Sequence, residues 1–387
     1  MSSLCVTERF IDMKMMSATY ICPARGLTTL EPPEPALLGR IAGIGKGLGL
    51  DRLHIPVLEE SVSRTDRHKV RFLDELIRGL DHVDDAGLTV WLMAPAQRIL
   101  GVDWVAPYLV KGSMDPRAAP VFVDGKMRTL RPFKWWADPG VIHKRIEFIR
   151  ELVAAVSGHP ALSGWIIMDR ALEWPRPEYR TADLILKSYC AEIRERDEIG
   201  EICLSIGVEE LKAPEMVRML AGQVNRLYLR GIDSRLKAGG MCRDLTEEMP
   251  LTAYIYSLAH WLFEKEMSLE IGGSMGRSRE LREDMLAAVS ILGRQGVSEV
   301  TWLNLAEPEK RLLQEPPWCM RPGLEKAALL DPNGDPKEGI EPLIREMRSN
   351  SGKGRIVDFI DMEPKEYFAD PEVHFFRLWE HFQEATR

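Results

Sequence analysis

The stretch GWIIMDRALEW, residues 164–174, runs apolar side chains directly into Asp169, Arg170 and Glu173. A buried strand that stops at charged residues aims them at solvent, a partner or a substrate. A second apolar run, MSLEIGG (267–273), carries Glu270. Carboxyl groups held at strand ends can give or take protons once their surroundings set the charge state. Other chemistries lack their residues. The glycine-rich GRIAGIGKGLGLD (39–51) has neither the order nor the strand-to-helix setting of a phosphate loop. There is no G-x-S-x-G elbow, and the eight histidines form no H-E-x-x-H or H-x-H set. The six cysteines (Cys5, Cys22, Cys190, Cys203, Cys242, Cys319) are scattered without a C-x-x-C pair, so neither a metal nor another cofactor is expected.

Groups at positions 169 and 270 act together only on a scaffold that joins distant strand ends. Eight apolar runs provide candidate strands: SATYICP (17–23), DRLHIPVL (51–58), LTVWLMAP (88–95), LSGWIIM (162–168), EICLSIGV (201–208), NRLYLRGI (225–232), MSLEIGG (267–273) and SEVTWLNLA (298–306). The stretches between them carry helical spacing, as in Val70, Leu73, Ile77, Leu80 and Val83, or Ile146, Ile149, Leu152, Val153 and Val156. Alternating strands and helices predict an α/β protein with a parallel sheet. Eight evenly spaced units fit a (β/α)8 TIM barrel better than an open sheet. The barrel is expected over residues 1–350 and a C-terminal helical extension over 351–387. In that extension Phe375, Phe376, Leu378, Trp379 and Phe382 form an apolar face to dock on the barrel or, as a homo-oligomer contact, on another subunit. Long irregular pieces follow the third strand (104–140) and the sixth (233–250), on the barrel face where ligands bind.

Three stretches, taken in order, resemble the clan of retaining glycoside hydrolases built on (β/α)8 barrels, the cellulase-like and β-galactosidase-like enzymes. GLDRLHIPVLEE (49–60) is similar to their second strand, "G-x-n-x-v-R-i-P", with His54 in the place of arginine. SGHPALSGWIIMDR (157–170) is similar to their fourth, "h-P-a-i-x-g-W-x-l-x-N-E", whose final glutamate is the acid/base. MSLEIGG resembles their seventh, "p-l-x-i-t-E-f-G", and puts Glu270 in the nucleophile's place. ALLDPNGDPKEGIEPLIREM (328–347) looks like the closing helix of such barrels. The resemblance covers most of residues 40–348 and implies a carbohydrate ligand. Retaining cleavage needs a nucleophilic carboxylate and a carboxylic acid about 5 to 5.5 Å apart. Acids at the carboxyl ends of strands four and seven can meet across one barrel mouth.

The family's Asn-Glu pair falls here on Asp169-Arg170. Arginine, with a pKa above about 12, donates no proton at neutral pH. Glu173, beside the apolar Trp174, is preferred as a displaced acid to Asp169, whose neighbour Arg170 favours its ionised form. The other reading is a fixed cluster of Asp169, Arg170 and Glu270 in a barrel that binds carbohydrate, or serves as a scaffolding or regulatory subunit, without cleaving it. Trp302 on the eighth strand matches a tryptophan that stacks on sugar in the resembling enzymes, or else packs. Asn304 and Glu307 contact hydroxyls or cap the next turn. His54 donates a hydrogen bond to a carboxylate such as Glu270, or is a satisfied core residue. Trp136, with Trp135 and Trp104, forms a sugar platform or anchors the loop. Glu59, Glu60, Glu209, Glu210, Arg230 and Asp233 also end strands, several of them as ordinary loop charges.

The net charge of −8 comes from interspersed acids and bases, so no nucleic-acid footprint is expected. The amino-terminal MSSLCVTERFIDMKMM has acids within its apolar stretch, and no run of 18 apolar residues occurs, which predicts no membrane partner and a cytoplasmic protein.

Overall fold

The structure, a computed structural model, describes residues 15–27, 30–63, 65–100, 102–110, 120–130, 134–169, 176–230, 248–271, 279–294, 297–316, 318–320, 327–350 and 357–386. In chain order its strands are β1 (Met15–Thr19), β2 (Arg52–Leu58), β3 (Thr89–Ala96), β4 (Arg98–Ile99), β5 (Val102–Trp104), β6 (Pro120–Val123), β7 (Lys126–Thr129), β8 (Leu162–Ile167), β9 (Glu201–Ile206), β10 (Arg226–Leu229), β11 (Met267–Ile271) and β12 (Glu299–Trp302). The strands β1, β2, β3, β8, β9, β10, β11 and β12 close in that order into a barrel, every neighbouring pair parallel. These are the eight apolar runs of the sequence, separated by helices that cover the barrel.

Side chains alternate with the period of two that a strand imposes. Ala18, Leu53, Leu92, Leu204, Leu227 and Val300 join the large core beneath the helices, whereas Trp91, Met93, Ile166, Cys203 and Tyr228 form a second cluster inside the barrel. Gly164 is what lets the Trp91 indole lie across that interior, since a Cβ there would come within 2.4 Å of Trp91 Nε1.

The helix Asp66–Asp85 starts at Thr65, whose hydroxyl accepts the His68 N–H at 3.2 Å. It buries Phe72, Leu76, Leu80 and Val83. The expected stripe was therefore rotated: Leu73 and Ile77 flank the buried face, and Val70 is 56% exposed. The register of a polar-rich helix is set by the surface it meets, and here Phe72 outweighs Val70.

The piece after β3, expected to be irregular, contains a small second sheet in the order β4-β5-β6-β7. Ile99, Leu100, Val102, Trp104 and Phe122 from this sheet share the interior apolar cluster with Ile21, Leu58 and Met93 near the ends of β1, β2 and β3. The small sheet thus sits on the carboxyl-end face of the barrel. The stretch 231–247, which holds most of the second long loop, lies outside the described residues.

After the barrel, the helices Pro364–Ala369 and Pro371–Thr386 pack on the helix Glu248–Phe263. Phe375, Leu378, Trp379 and Phe382 are buried around Tyr254, whose hydroxyl donates to the Phe375 carbonyl. Four of the five expected aromatic and aliphatic positions therefore dock on this chain's own barrel, and Phe376 points away at 38% exposure. Among the described residues no helix is long and apolar enough to cross a membrane. Phe382→Ala is expected to cost about 3–5 kcal/mol of stability, the price of truncating a fully buried aromatic side chain, measurable by chemical denaturation.

Candidate active site

The floor of the barrel interior is ionic. Glu299 on β12 is fully buried and accepts from Arg52 Nη1 at 2.8 Å, His54 Nε2 at 3.2 Å and Ser268 Oγ at 3.0 Å. Burial alone would raise its pKa. The hydrogen bond from His54, the charge of Arg52 and a hydrogen bond from Ser17 outweigh that and bring it down to about 2. Burial lowers the His54 pKa, against the pull of Glu299, so the imidazole is neutral and its Nε2–H donates. Trp91 stacks on the His54 ring with centroids 5.4 Å apart, and the Arg52 guanidinium lies 4.0 Å over the Trp91 ring. His54 thus finds its carboxylate in Glu299 and not in Glu270, because β12 reaches the interior one level below the mouth.

Higher in the same interior, Glu270 sits on β11 between the outward-facing Leu269 and Ile271 and is half-buried. The Tyr228 hydroxyl of β10 donates to Glu270 Oε2 at 3.0 Å. Burial, then the charge of Glu270, raises the Tyr228 pKa, so the phenol keeps its proton and remains a donor. Tyr228 is positioned in turn by the edge of His54, with ring centroids 5.4 Å apart. Glu270 is therefore an oriented carboxylate at the carboxyl end of the seventh barrel strand.

Asp169 follows β8 directly, after Met168 with a φ of 59°. It lies in the same barrel but is fully buried and held on both oxygens. The N–H groups of Gln97 and Arg98 each donate to Oδ2 at 2.7 Å, Ser205 Oγ donates to Oδ1 at 3.3 Å, and Arg230 Nε lies 3.6 Å from Oδ1. Both oxygens of this carboxylate are thus already engaged by the protein. Arg170, Glu173 and Trp174 lie outside the described residues.

The remaining candidates are dispersed. Trp302 turns outward opposite Thr301, is 2% exposed and donates its indole N–H to the Ala327 carbonyl at 2.6 Å, a packing position. Asn304 is buried and caps the following turn through Ala306 O at 2.7 Å, and Glu307 pairs with Lys337 at 2.5 Å. Trp104 packs on Phe122, and Trp135 is buried beneath the Arg145 guanidinium at 4.3 Å. Both anchor the rim, and only Trp136 is half-buried, with the Lys134 ammonium 5.7 Å from its ring.

Among the other strand-end charges, Glu59 meets Arg145 and Tyr108, Glu60 accepts Asp124 N, and Glu210 accepts Gly207 N. Glu209 pairs with Lys212 at 3.5 Å, and Asp233 lies outside the described residues. The sequence reading missed Glu299, Arg52 and Tyr228. One signal was available: in SEVTW, Glu299 alternates with Val300 inside a strand otherwise fit for burial.

No protein-family model matches the chain, and no curated protein matches it. Solved structures do. A GH5_18 protein from Streptomyces cattleya, in complex with Manβ1-4GlcNAc, superposes with a TM-score of 0.71 at 14% identity, over 97% of this chain and 92% of the other. The exo-β-1,4-mannosidase Op5Man5 from Opitutaceae bacterium strain TAV5 gives 0.68 at 14%, over 89% and 62%. A β-galactosidase from the haloarchaeon Halorubrum lacusprofundi gives 0.55 at 11%, over 87% and 58%. At these identities the likeness is one of fold. The chain shares with these structures the closed (β/α)8 barrel that its strand pattern predicted.

The Glu299 cluster sets a pH dependence. A carboxyl with a pKa of about 2 in place of 4.5 contributes stability that is complete above pH 4.5 and is lost as the pH falls toward 2. Glu299→Gln, which strands Arg52, is expected to be about 3–5 kcal/mol less stable than wild type at neutral pH. That gap narrows across the acid window, as denaturant titrations at a series of pH values would read.

Proposed function

We propose that this barrel is a retaining glycoside hydrolase that cleaves a short, β-linked carbohydrate, with Glu270 as nucleophile. One observation carries the reading: Glu270 projects into the mouth from the end of the seventh strand and is oriented by the Tyr228 hydroxyl. A phenol that stays protonated stabilises the carboxylate and aims it at the anomeric carbon. Asp169 is committed to three hydrogen bonds and the charge of Arg230, so Glu173, next to the apolar Trp174 in the sequence, is the proton donor in this reading. Arg170 and Trp136 are assigned to substrate contact on either side. Attack by Glu270 expels the leaving group as the acid protonates its oxygen. Water, activated by the same acid as its conjugate base, then releases the sugar.

The small sheet over the ends of β1 to β3 supports a terminal or short sugar rather than a polymer threaded across the mouth. The Manβ1-4GlcNAc bound by the Streptomyces protein and the β-mannosidase and β-galactosidase activities of the other neighbours favour a β-linked hexoside. A second reading, a carbohydrate-binding barrel without hydrolysis, is favoured by the sealing of Asp169 beside an arginine in the usual acid position.

The two separate on treatment with manno-, gluco- and galacto-configured fluorosugar inactivators followed by intact mass and peptide mapping. A covalent adduct on Glu270 is expected, absent from Glu270→Gln and formed about 10- to 100-fold more slowly by Tyr228→Phe. No adduct with any sugar, together with β-linked disaccharide binding that survives Glu270→Gln, would establish the binding reading instead.

A further inference from the structure

We propose that Asp169 is a positioning residue, the latch that holds the small sheet β4–β7 against the barrel mouth and thereby fixes one wall of the carbohydrate site. Its partners, three hydrogen-bond donors and one guanidinium charge, come from three separate parts of the chain. Gln97 and Arg98, whose N–H groups both reach Oδ2 at 2.7 Å, are the residues at which the chain leaves β3 and enters the small sheet. Ser205, 3.3 Å from Oδ1, belongs to β9, and Arg230, 3.6 Å from the same oxygen, follows β10. The carboxylate thus ties the root of the small sheet to the fourth, fifth and sixth staves of the barrel.

The chemistry selects aspartate at this position. Two backbone N–H groups on one oxygen, and a hydroxyl and a guanidinium on the other, need an acceptor at both oxygens. Asparagine, the residue of the resembling enzymes, has one accepting oxygen and would turn its NH2 group on two of these donors. Full burial strengthens each bond and makes a mispaired donor costly. The rest of the root is built to be rigid. The Gln97 carbonyl accepts Trp104 N at 2.8 Å, Arg98 pairs with Asp103 at 3.3 Å, and Ile99, Trp104 and Phe122 enter the interior apolar cluster. Loss of the latch frees the wall without touching Glu270 or Tyr228.

Hydrogen exchange read by mass spectrometry tests the latch without reference to any reaction. In Asp169→Asn the backbone amides of Gln97 and Arg98, and those of β5, are expected to exchange at least about tenfold faster than in wild type, the factor for losing hydrogen bonds to a charged acceptor. Amides of β11 and β12 keep their protection. The kinetic arm rests on the hydrolase reading. The fluorosugar concentration for half-maximal labelling of Glu270 is expected to rise about tenfold, and the maximal labelling rate to stay within about threefold, because a loosened wall weakens binding and leaves the nucleophile intact.

Unchanged exchange in Asp169→Asn overturns the proposal. So does a collapse of the maximal rate with the half-maximal concentration unchanged, which would make Asp169 the proton donor. If Asp169→Asn fails to fold, Ser205→Ala decides: faster exchange confined to the same amides supports the latch, and unchanged protection overturns it. If wild type takes no label from any sugar, the hydrolase reading fails while the exchange measurement still judges the latch.

Discussion

A carboxylate sealed at the centre of a closed barrel obliges the surrounding staves to supply donors, and Glu299 imposes that demand here. Arg52 and His54 come from β2 and Ser268 from β11, so the three strands on which the charge depends must hold one register. Shifting any of them by one residue would turn its donor out toward the helices and bring an aliphatic side chain in. The cation and the neutral imidazole beside it need company of their own. Trp91 stacks on both Arg52 and His54, and Gly164 on the next stave gives that indole its space. Removing one partner from such a cluster costs more than the cluster contributes as a whole, because what remains is a buried, uncompensated charge.

The mouth inherits its order from this floor. His54 presses edge-on against Tyr228, and Tyr228 donates to Glu270, so the Glu270 carboxylate is oriented from below through an aromatic ring. Two carboxylates in one barrel meet opposite fates. Glu270 is half-buried beside the Tyr228 hydroxyl. Asp169 is fully buried under donors from three segments and carries structure instead. The difference lies in how deeply each is buried.

A shared barrel at 14% identity establishes the scaffold, and this scaffold hosts many chemistries. The functional weight therefore falls on the few side chains in the mouth. Among them are Glu270 with its tyrosine and the apolar residues of the small sheet that lie over the ends of β1 to β3.

All eight barrel strands could be read from residue order, because a strand buried on both faces is an apolar run whatever it touches, and eight such runs separated by amphipathic segments leave little choice of architecture. Glu270 was legible for the same reason, as a lone carboxylate inside such a run. The aromatic spacing of the C-terminal tail marked a face that had to be covered, though its cover, the helix Glu248–Phe263, lies over a hundred residues away in the chain. Partnerships across the barrel were not legible. That His54 answers to Glu299, that Trp302 packs outward onto Ala327 and that Asp169 is consumed by Gln97, Arg98, Ser205 and Arg230 all depend on pairings between residues 25 to 245 positions apart. Local pattern says which side chains leave water. Only closure of the barrel decides which of them meet, since the charge state and reach of a buried group are properties of its neighbours in space.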